Sequence, residues 1–440
     1  MSSTAQSVAT AFCGWPAPTT ATIYEDKQQQ QQNTKDETTL AIPRSLLHQL
    51  IQDHHTVYHM EHRDHPNLLA RVLVALHELG ANQAQLINGY YKVYPDLVPL
   101  LQTSIEQRVL TDDSWLEHLG DPKYYRPYLT FFQRKIEEYG MDQVVQQYFF
   151  DSPLSSSIGS QLQPIVHMAF GLEYDMPDVV TQGLAYLATT FVDVASLLNV
   201  DDEEEEEDHS SNERQRRLST TTTTTMDHES LLFDMIAADP RFGGRMDGTN
   251  TFHSALKVLI KSQQSLLGMY MRQNATQVRL QDLVTLAARL IPCTKQAHRL
   301  DWFLGGGQLL ASALAIQYLM ERFEKQYNNK KLVRLQFLAT LCTFIVQGRP
   351  TRPPTSHYDA RYVHSEQQQQ QQLSWDSCGS TVVASGDPKS VLILQSLVKA
   401  RRLYGNGEEE GCYLDIANFI AGFVQRADGA WCKTDDRSVR

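Results

Sequence analysis

The sequence predicts an all-α protein, a single large multi-helix domain with a disordered N-terminus and two low-complexity insertions. Three observations predict this. Apolar residues recur at three- and four-residue spacing through most of the chain. No run of alternating apolar and polar residues competes with them as a strand. The 440 residues are 42% hydrophobic and 20% charged, an ordinary globular balance that can bury a sizeable core.

Taken in order, residues 1–40 hold Gln28–Gln32 and many Ser and Thr. They have too few apolar side chains to offset the entropy of ordering, so they read as a disordered tail. Residues 41–200 read as a helical half that holds the candidate site. Pro43 suits a helix start, and Leu46, Leu47, Leu50 and Ile51 follow at helical spacing. Continued, that helix sets His55, His59 and His62 on one face, a spacing that presents imidazoles to one metal or marks a wet helix end. Pro66 restarts a helix whose stripe is Leu69, Val72, Leu73 and Leu76, with His65 on the extrapolated stripe, His77 beside it and Gly80 with Asn82 at its end. Leu86, Tyr90, Tyr91 and Tyr94 follow; aromatics at that spacing form a core or flank a flat substrate. An amphipathic helix runs through Ile136 to a stop at Gly140, and another covers Val144–Phe150. The run Gln163–Glu173 is apolar and helical, with His167 inside it. Val179–Leu198 reads as one long buried helix.

Residues 201–228 form a linker, with eight consecutive acids, Asp201–Asp208, and a threonine tract, Thr220–Thr225. Arg216-Arg217-Leu218-Ser219 resembles a basophilic kinase site, so a kinase acting at Ser219 is a candidate partner. Residues 229–347 are a second helical half, with Asp239-Pro240-Arg241-Phe242 as a turn, a helix starting at His253, and helices at Leu280–Leu290, Asp301–Phe323 and Leu332–Val346. Residues 348–385 read as a Gln-rich disordered insert. Residues 386–430 carry the last helices, Val391–Tyr404 and Tyr413–Val424.

Composition excludes several functions. Net charge is −12, and removing the acidic run leaves about −4, so there is no basic face for nucleic acid. The six cysteines are dispersed, which signals neither a zinc knot nor a redox dithiol and suits reduced thiols. No apolar run reaches the ~18 residues of a membrane span, and the opening residues lack a basic start and an apolar core, so a cytoplasmic protein is expected. There is no Gly-x-Gly-x-x-Gly after a strand, no Walker motif, no Gly-x-Ser-x-Gly elbow and no His-Glu-x-x-His. A Rossmann-bound flavin is therefore not expected. Gly305–Gly307 reads as a place where two helices approach closely. A lone histidine on an apolar helix, such as His167, is more often a core residue than a ligand.

Six pieces in order resemble the questin oxidase-like family, which includes Baeyer–Villiger-type oxidoreductases of fungal anthraquinone and aflatoxin pathways. They are Ala75-Leu76-His77-Glu78-Leu79-Gly80-Ala81; Leu119-Gly120 with Tyr128-Leu129-Thr130-Phe131-Phe132; Pro164-Ile165-Val166-His167 with Gly171-Leu172-Glu173; Asp239-Pro240-Arg241-Phe242; Asp301-Trp302-Phe303-Leu304; and Ala400-Arg401-Arg402-Leu403-Tyr404-Gly405. The resemblance implies a helical, flavin-independent oxidoreductase of secondary metabolism. It would oxygenate or cleave a ring of an aromatic polyketide with O2, using NADPH as reductant. In some relatives it implies a histidine-rich Fe(II) centre, which removes the barrier between triplet O2 and a closed-shell ring. On that basis His62, His65 and His167 are the candidate metal ligands. His167, Glu173 and Asp301 are the candidate catalytic groups, and Tyr90, Tyr91, Phe170 and Trp302 the candidate substrate contacts. Lys389 is a further residue placed near the site.

The family pattern also carries histidines that this chain replaces. An Asn-His pair becomes Asn67-Leu68, a His-Pro pair becomes Gln163-Pro164, and a histidine after Asp301-Trp302-Phe303-Leu304 gives way to Gly305-Gly306-Gly307. The competing reading is therefore a catalytically degenerate helical scaffold derived from the family. A hydrolase is a weaker third, since no nucleophile motif is present.

Overall fold

The computed structural model describes residues 57–62, 65–100, 108–199, 228–243, 251–274, 278–293, 299–327, 330–352, 373–405 and 408–432, with Leu47, Ile51 and His54 before them. The tail, the acidic linker with Ser219, and the Gln-rich tract all lie outside the described residues, as does His55.

The main elements are helices: α1 Leu69–Glu78, α2 Gln83–Val93, α3 Tyr125–Tyr139, α4 Gln163–Glu173, α5 Pro177–Thr189, α6 Phe252–Ser262, α7 Gln264–Asn274, α8 Leu280–Leu290, α9 Gln308–Arg322, α10 Lys330–Val346, α11 Trp375–Ser385, α12 Pro388–Tyr404 and α13 Glu408–Gln425. The only strands among the described residues are two small pairs. β1 (Glu61–His62) pairs antiparallel with β2 (His65–Pro66), and β3 (Arg299–Asp301) pairs parallel with β4 (Ala430–Cys432). The all-α prediction holds.

The helix ends follow local chemistry. Asn82 opens α2 with a complete capping box to Gln85, so it starts the next helix and does not end α1. Gly80, at φ +81°, makes the turn between the two. Asp387 caps α12 by accepting from Ser390. Ser374 caps α11 in the same way, and Trp375, Cys378, Val382 and Val383 bury one face of it. The predicted insert therefore gives way to a helix at Trp375.

Three predicted helices are interrupted. Of the three histidines expected on one helical face, His59 and His62 are not helical: His59 follows Tyr58, which bridges Pro99, and His62 is in β1. His65 lies in β2, opposite His62, and not on the α1 stripe. The single long helix expected over Val179–Leu198 stops at Thr189. The hydroxyls of Thr189 and Thr190 bond back to carbonyls of the preceding turn, and Asp193 then bridges Ser157. The Asp301–Phe323 helix breaks at Gly305–Gly307, with Gly307 at φ +74°.

One contiguous core joins both halves. Its tightest seam is between α4 and α5. A Cβ on Gly183 would lie 2.7 Å from the backbone of Met168, and one on Gly171 would lie 2.6 Å from the Val180 nitrogen. Only glycine allows these backbones to come so close. As the sequence suggested for the glycine triplet, a Cβ on Gly307 would meet Ile393 of α12 at 2.7 Å. Against the expectation that no apolar run reaches the length of a span, Trp302–Arg322 is long and apolar enough to cross a membrane, but 78% of its window is buried inside this body. The thiols Cys293, Cys342, Cys378 and Cys412 are free.

Candidate active site

A cavity of about 310 Å³ lies where α1, α4, α9 and α12 meet. It sits at the small end of the range of roughly 300–1,000 Å³ typical of ligand pockets. Helical spacing explains which side chains reach it. Val166, Ala169, Phe170 and Glu173 recur along one face of α4. Gln395, Ser396, Lys399 and Arg402 do the same on α12, and Ala311, Ala315 and Tyr318 on α9. Arg71 and Glu78 enter from α1. Alanines on α9 leave the space that larger residues would fill.

At one end the cavity narrows to a neck of about 10 Å³, lined among others by Leu68, Gln163, Trp302, Gly306, Gly307 and Lys389. Arg71, Ala311 and Ser396 border both spaces. The Lys389 ammonium sits 3.8 Å from the Trp302 ring centroid and 5.3 Å from that of Trp431.

The charged groups of the cavity differ in how they are held. Glu173 takes the Lys399 ammonium at 2.8 Å on both oxygens. Glu78 accepts the Tyr174 hydroxyl on one oxygen and the Gln395 amide, at 2.6 Å, on the other. Arg71 is 8% exposed and donates to the Gln163 side-chain oxygen at 3.0 Å. Burial pushes its guanidinium down to about 10, partly offset by Tyr186, so it is still charged at neutral pH.

The start of α4 is set by an unusual turn. Ser160, Gln161 and Leu162 are consecutive non-glycine residues at φ +47°, +53° and +62°. Each such residue costs on the order of 1–3 kcal/mol and persists only where its surroundings dictate it. Here the Gln161 amide donates to the Phe303 carbonyl at 2.8 Å and the Thr343 hydroxyl at 3.1 Å, and its own carbonyl accepts from Gln308. The turn delivers Gln163 to Arg71. Nearby, Glu61 of β1 is gripped by His253 at 3.1 Å and by the Tyr186 hydroxyl. Burial opposes ionisation of Glu61, but the His253 charge and the hydrogen bonds around it outweigh that and hold the carboxyl below its ordinary value.

The predicted residues divide sharply. Phe170 and Glu173 line the cavity, and Trp302 lines the neck together with Lys389. Asp301 is instead a helix cap, accepting from the Leu304 nitrogen at 2.6 Å. Tyr90 is fully buried and packs on His54 and Tyr94, while Tyr91 is 44% exposed; neither lines the cavity or its neck. His167 lines neither space. It is buried in the α4–α5 seam, with its Nε2 3.0 Å from the Gln182 side-chain oxygen. One step around α4 from Val166 turns its ring away from the cavity. The proposed metal set does not assemble: His62 is exposed, His65 faces it across a strand pair, and His167 is inside the helix seam. Among the described residues no three His, Cys, Asp or Glu side chains are placed to hold a metal, so these residues do not form the implied iron centre.

Sequence reasoning missed Arg71, Lys399, Gln395 and Tyr318. The available signal was Arg71 itself, one charge inside the run Leu68–Leu76 that is otherwise apolar.

The architecture defines a helical body with a cavity to which several of the segments that carried the resemblance contribute. The Questin oxidase-like family model matches residues 65–390, and the chain belongs to that family. The chain is 27% identical over 154 residues to a Baeyer–Villiger oxidase of Pestalotiopsis microspora, covering 32% of this chain and 34% of that protein. It is 28% identical over 157 residues to a Baeyer–Villiger oxidase of an Aspergillus species, covering 33% and 32%. It is 29% identical over 150 residues to a questin oxidase of Aspergillus fumigatus, covering 32% and 34%. These matches span about a third of the relatives' own length.

Proposed function

We propose that this chain is an oxidoreductase of the kind its relatives' names describe, oxygenating or ring-cleaving an aromatic polyketide of anthraquinone type with O2, and that the cavity between α1, α4, α9 and α12 is its substrate site. One observation carries this reading. Four separate segments of the resemblance, contributing Glu78, Glu173, Trp302 and Arg402, converge on this one cavity and its neck.

The chain's own residues have clear tasks in this reading. Phe170 and Tyr318 flank a planar ring. Arg71 favours the anionic form of an acidic group on the substrate over the neutral one. Glu173, positioned by Lys399, is the wall carboxylate available to take a proton. The apolar alanine and leucine surface of α9 excludes water.

The degenerate reading has its own support. Leu68, Gln163, Gly306 and Gly307, which replace the histidines of the family pattern, all line the neck. A histidine cannot simply return to the glycine segment, since a Cβ on Gly306 would lie 2.1 Å from the Trp302 carbonyl oxygen.

The test is aerobic incubation of purified full-length protein with a panel of hydroxyanthraquinones, with and without NADPH and ferrous ion. An oxygenated or ring-opened product that is lost in Glu173→Gln supports the enzyme. Tight binding of a panel member without any turnover supports the scaffold.

A further inference from the structure

The Arg71 guanidinium is a buried charge of this cavity that no described carboxylate neutralises. The carboxylates that line the cavity are engaged elsewhere, Glu78 with Tyr174 and Gln395, Glu173 with Lys399 and Glu321 with the Gln317 amide, and nearby Glu61 is held by His253 and Tyr186. No carboxylate among the described residues makes an ion pair with Arg71, whose hydrogen bond goes to the neutral Gln163 amide. A buried cation left without an anion is costly, and chains retain one chiefly where something else supplies the counter-charge. The guanidinium borders both the cavity and its neck, so the missing anion belongs to whatever occupies that space.

We propose that the cavity binds a planar aromatic monocarboxylate, with the Arg71 guanidinium taking the carboxylate and Phe170 and Tyr318 taking the ring. The proposal deepens the reading of this cavity as the substrate site. A carboxylate is the match because its two oxygens meet the fork of a guanidinium in parallel, and because the polar groups beside Arg71, Gln163 and Ser396, cluster at the neck end. Val166, Ala169, Phe170, Ala311, Leu314 and Ala315 give the wall an apolar side, which suits the ring.

The probe is naphthalene-2-carboxylate, compared with its methyl ester and with inorganic phosphate by titration calorimetry on the full chain. The acid is expected to bind at least tenfold more tightly than the ester, with phosphate alone showing no saturable heat. Arg71→Met is expected to lose the acid-over-ester preference. It should also melt at the same or a higher temperature when unliganded, because an uncompensated buried charge has been removed. Arg71→Lys keeps the charge without the fork and is expected to bind the acid weakly. Equal binding of acid and ester, or an Arg71→Lys and Arg71→Met pair that bind the acid like the parent, overturns the proposal. So does a large fall in the melting temperature of unliganded Arg71→Met, which would make the guanidinium a structural group. Binding needs no turnover, so a chain that holds the acid but oxidises nothing sinks the oxidase reading and leaves this one standing.

Discussion

The placement of His167 leads to a sharp prediction. Its ring lies in the α4–α5 seam, 3.0 Å from the Gln182 side-chain oxygen, in a position 3% exposed beside a residue 5% exposed. Replacing His167 with Leu keeps the volume close to constant and removes the ring nitrogens. Gln182 is then left with a buried amide oxygen that has lost this partner, a loss of about 1–3 kcal/mol. Gln182→Leu strands the imidazole in the same way. Replacing both partners removes the polar pair together, and the double variant should lose about 1–2 kcal/mol less than the sum of the single losses. Equilibrium urea unfolding of the four proteins measures this coupling directly. Catalytic parameters per folded molecule should stay near the parent's, since the ring borders neither the cavity nor its neck. A His167→Leu protein as stable as the parent yet a hundredfold slower in kcat would refute the assignment of this histidine to the core.

Further outcomes follow from the same geometry. Gly183→Ala should destabilise the protein by about 1–3 kcal/mol in urea, because its Cβ would fall 2.7 Å from backbone atoms of Met168. Glu61 has a depressed carboxyl pKa, so its contribution is present above the ordinary value and lost as pH falls through the depressed one; stability curves between pH 6 and pH 3 should flatten in Glu61→Gln. Phe170→Ala should raise the KM of an accepted aromatic substrate about tenfold, from the loss of one buried ring face, whereas Tyr91→Ala, at an exposed position away from the cavity, should leave turnover unchanged.

Much of the helical framework was legible in the sequence because its signals are local. The spacing of Leu280–Leu290 names its own buried face, and the structure gives that same helix. The breaks were harder to read where the cause lies elsewhere in the chain. Thr189 and Thr190 end a helix with help from Ser157, more than thirty residues away, and Tyr58 is pulled out of a helix by Pro99. The strained turn at Ser160–Leu162 has no sequence signal at all, because its support comes from Phe303, Gln308 and Thr343.

The sequence by itself determined the all-helical class and the glycine contact at Gly307, and it pointed to Phe170, Glu173, Trp302 and Lys389, which line the candidate cavity and its neck. Periodicity and family motifs are written along a single segment, and those features need nothing more. Only the tertiary structure decided that His167 belongs to a helix seam and that Arg71 is the buried cation of the cavity. Neighbouring positions on one helix point about 100° apart, so a one-residue difference separates a cavity wall from a core. For His167 the core partner is Gln182 on the next helix, whereas the cavity wall beside it is completed by α9 and α12, far along the chain.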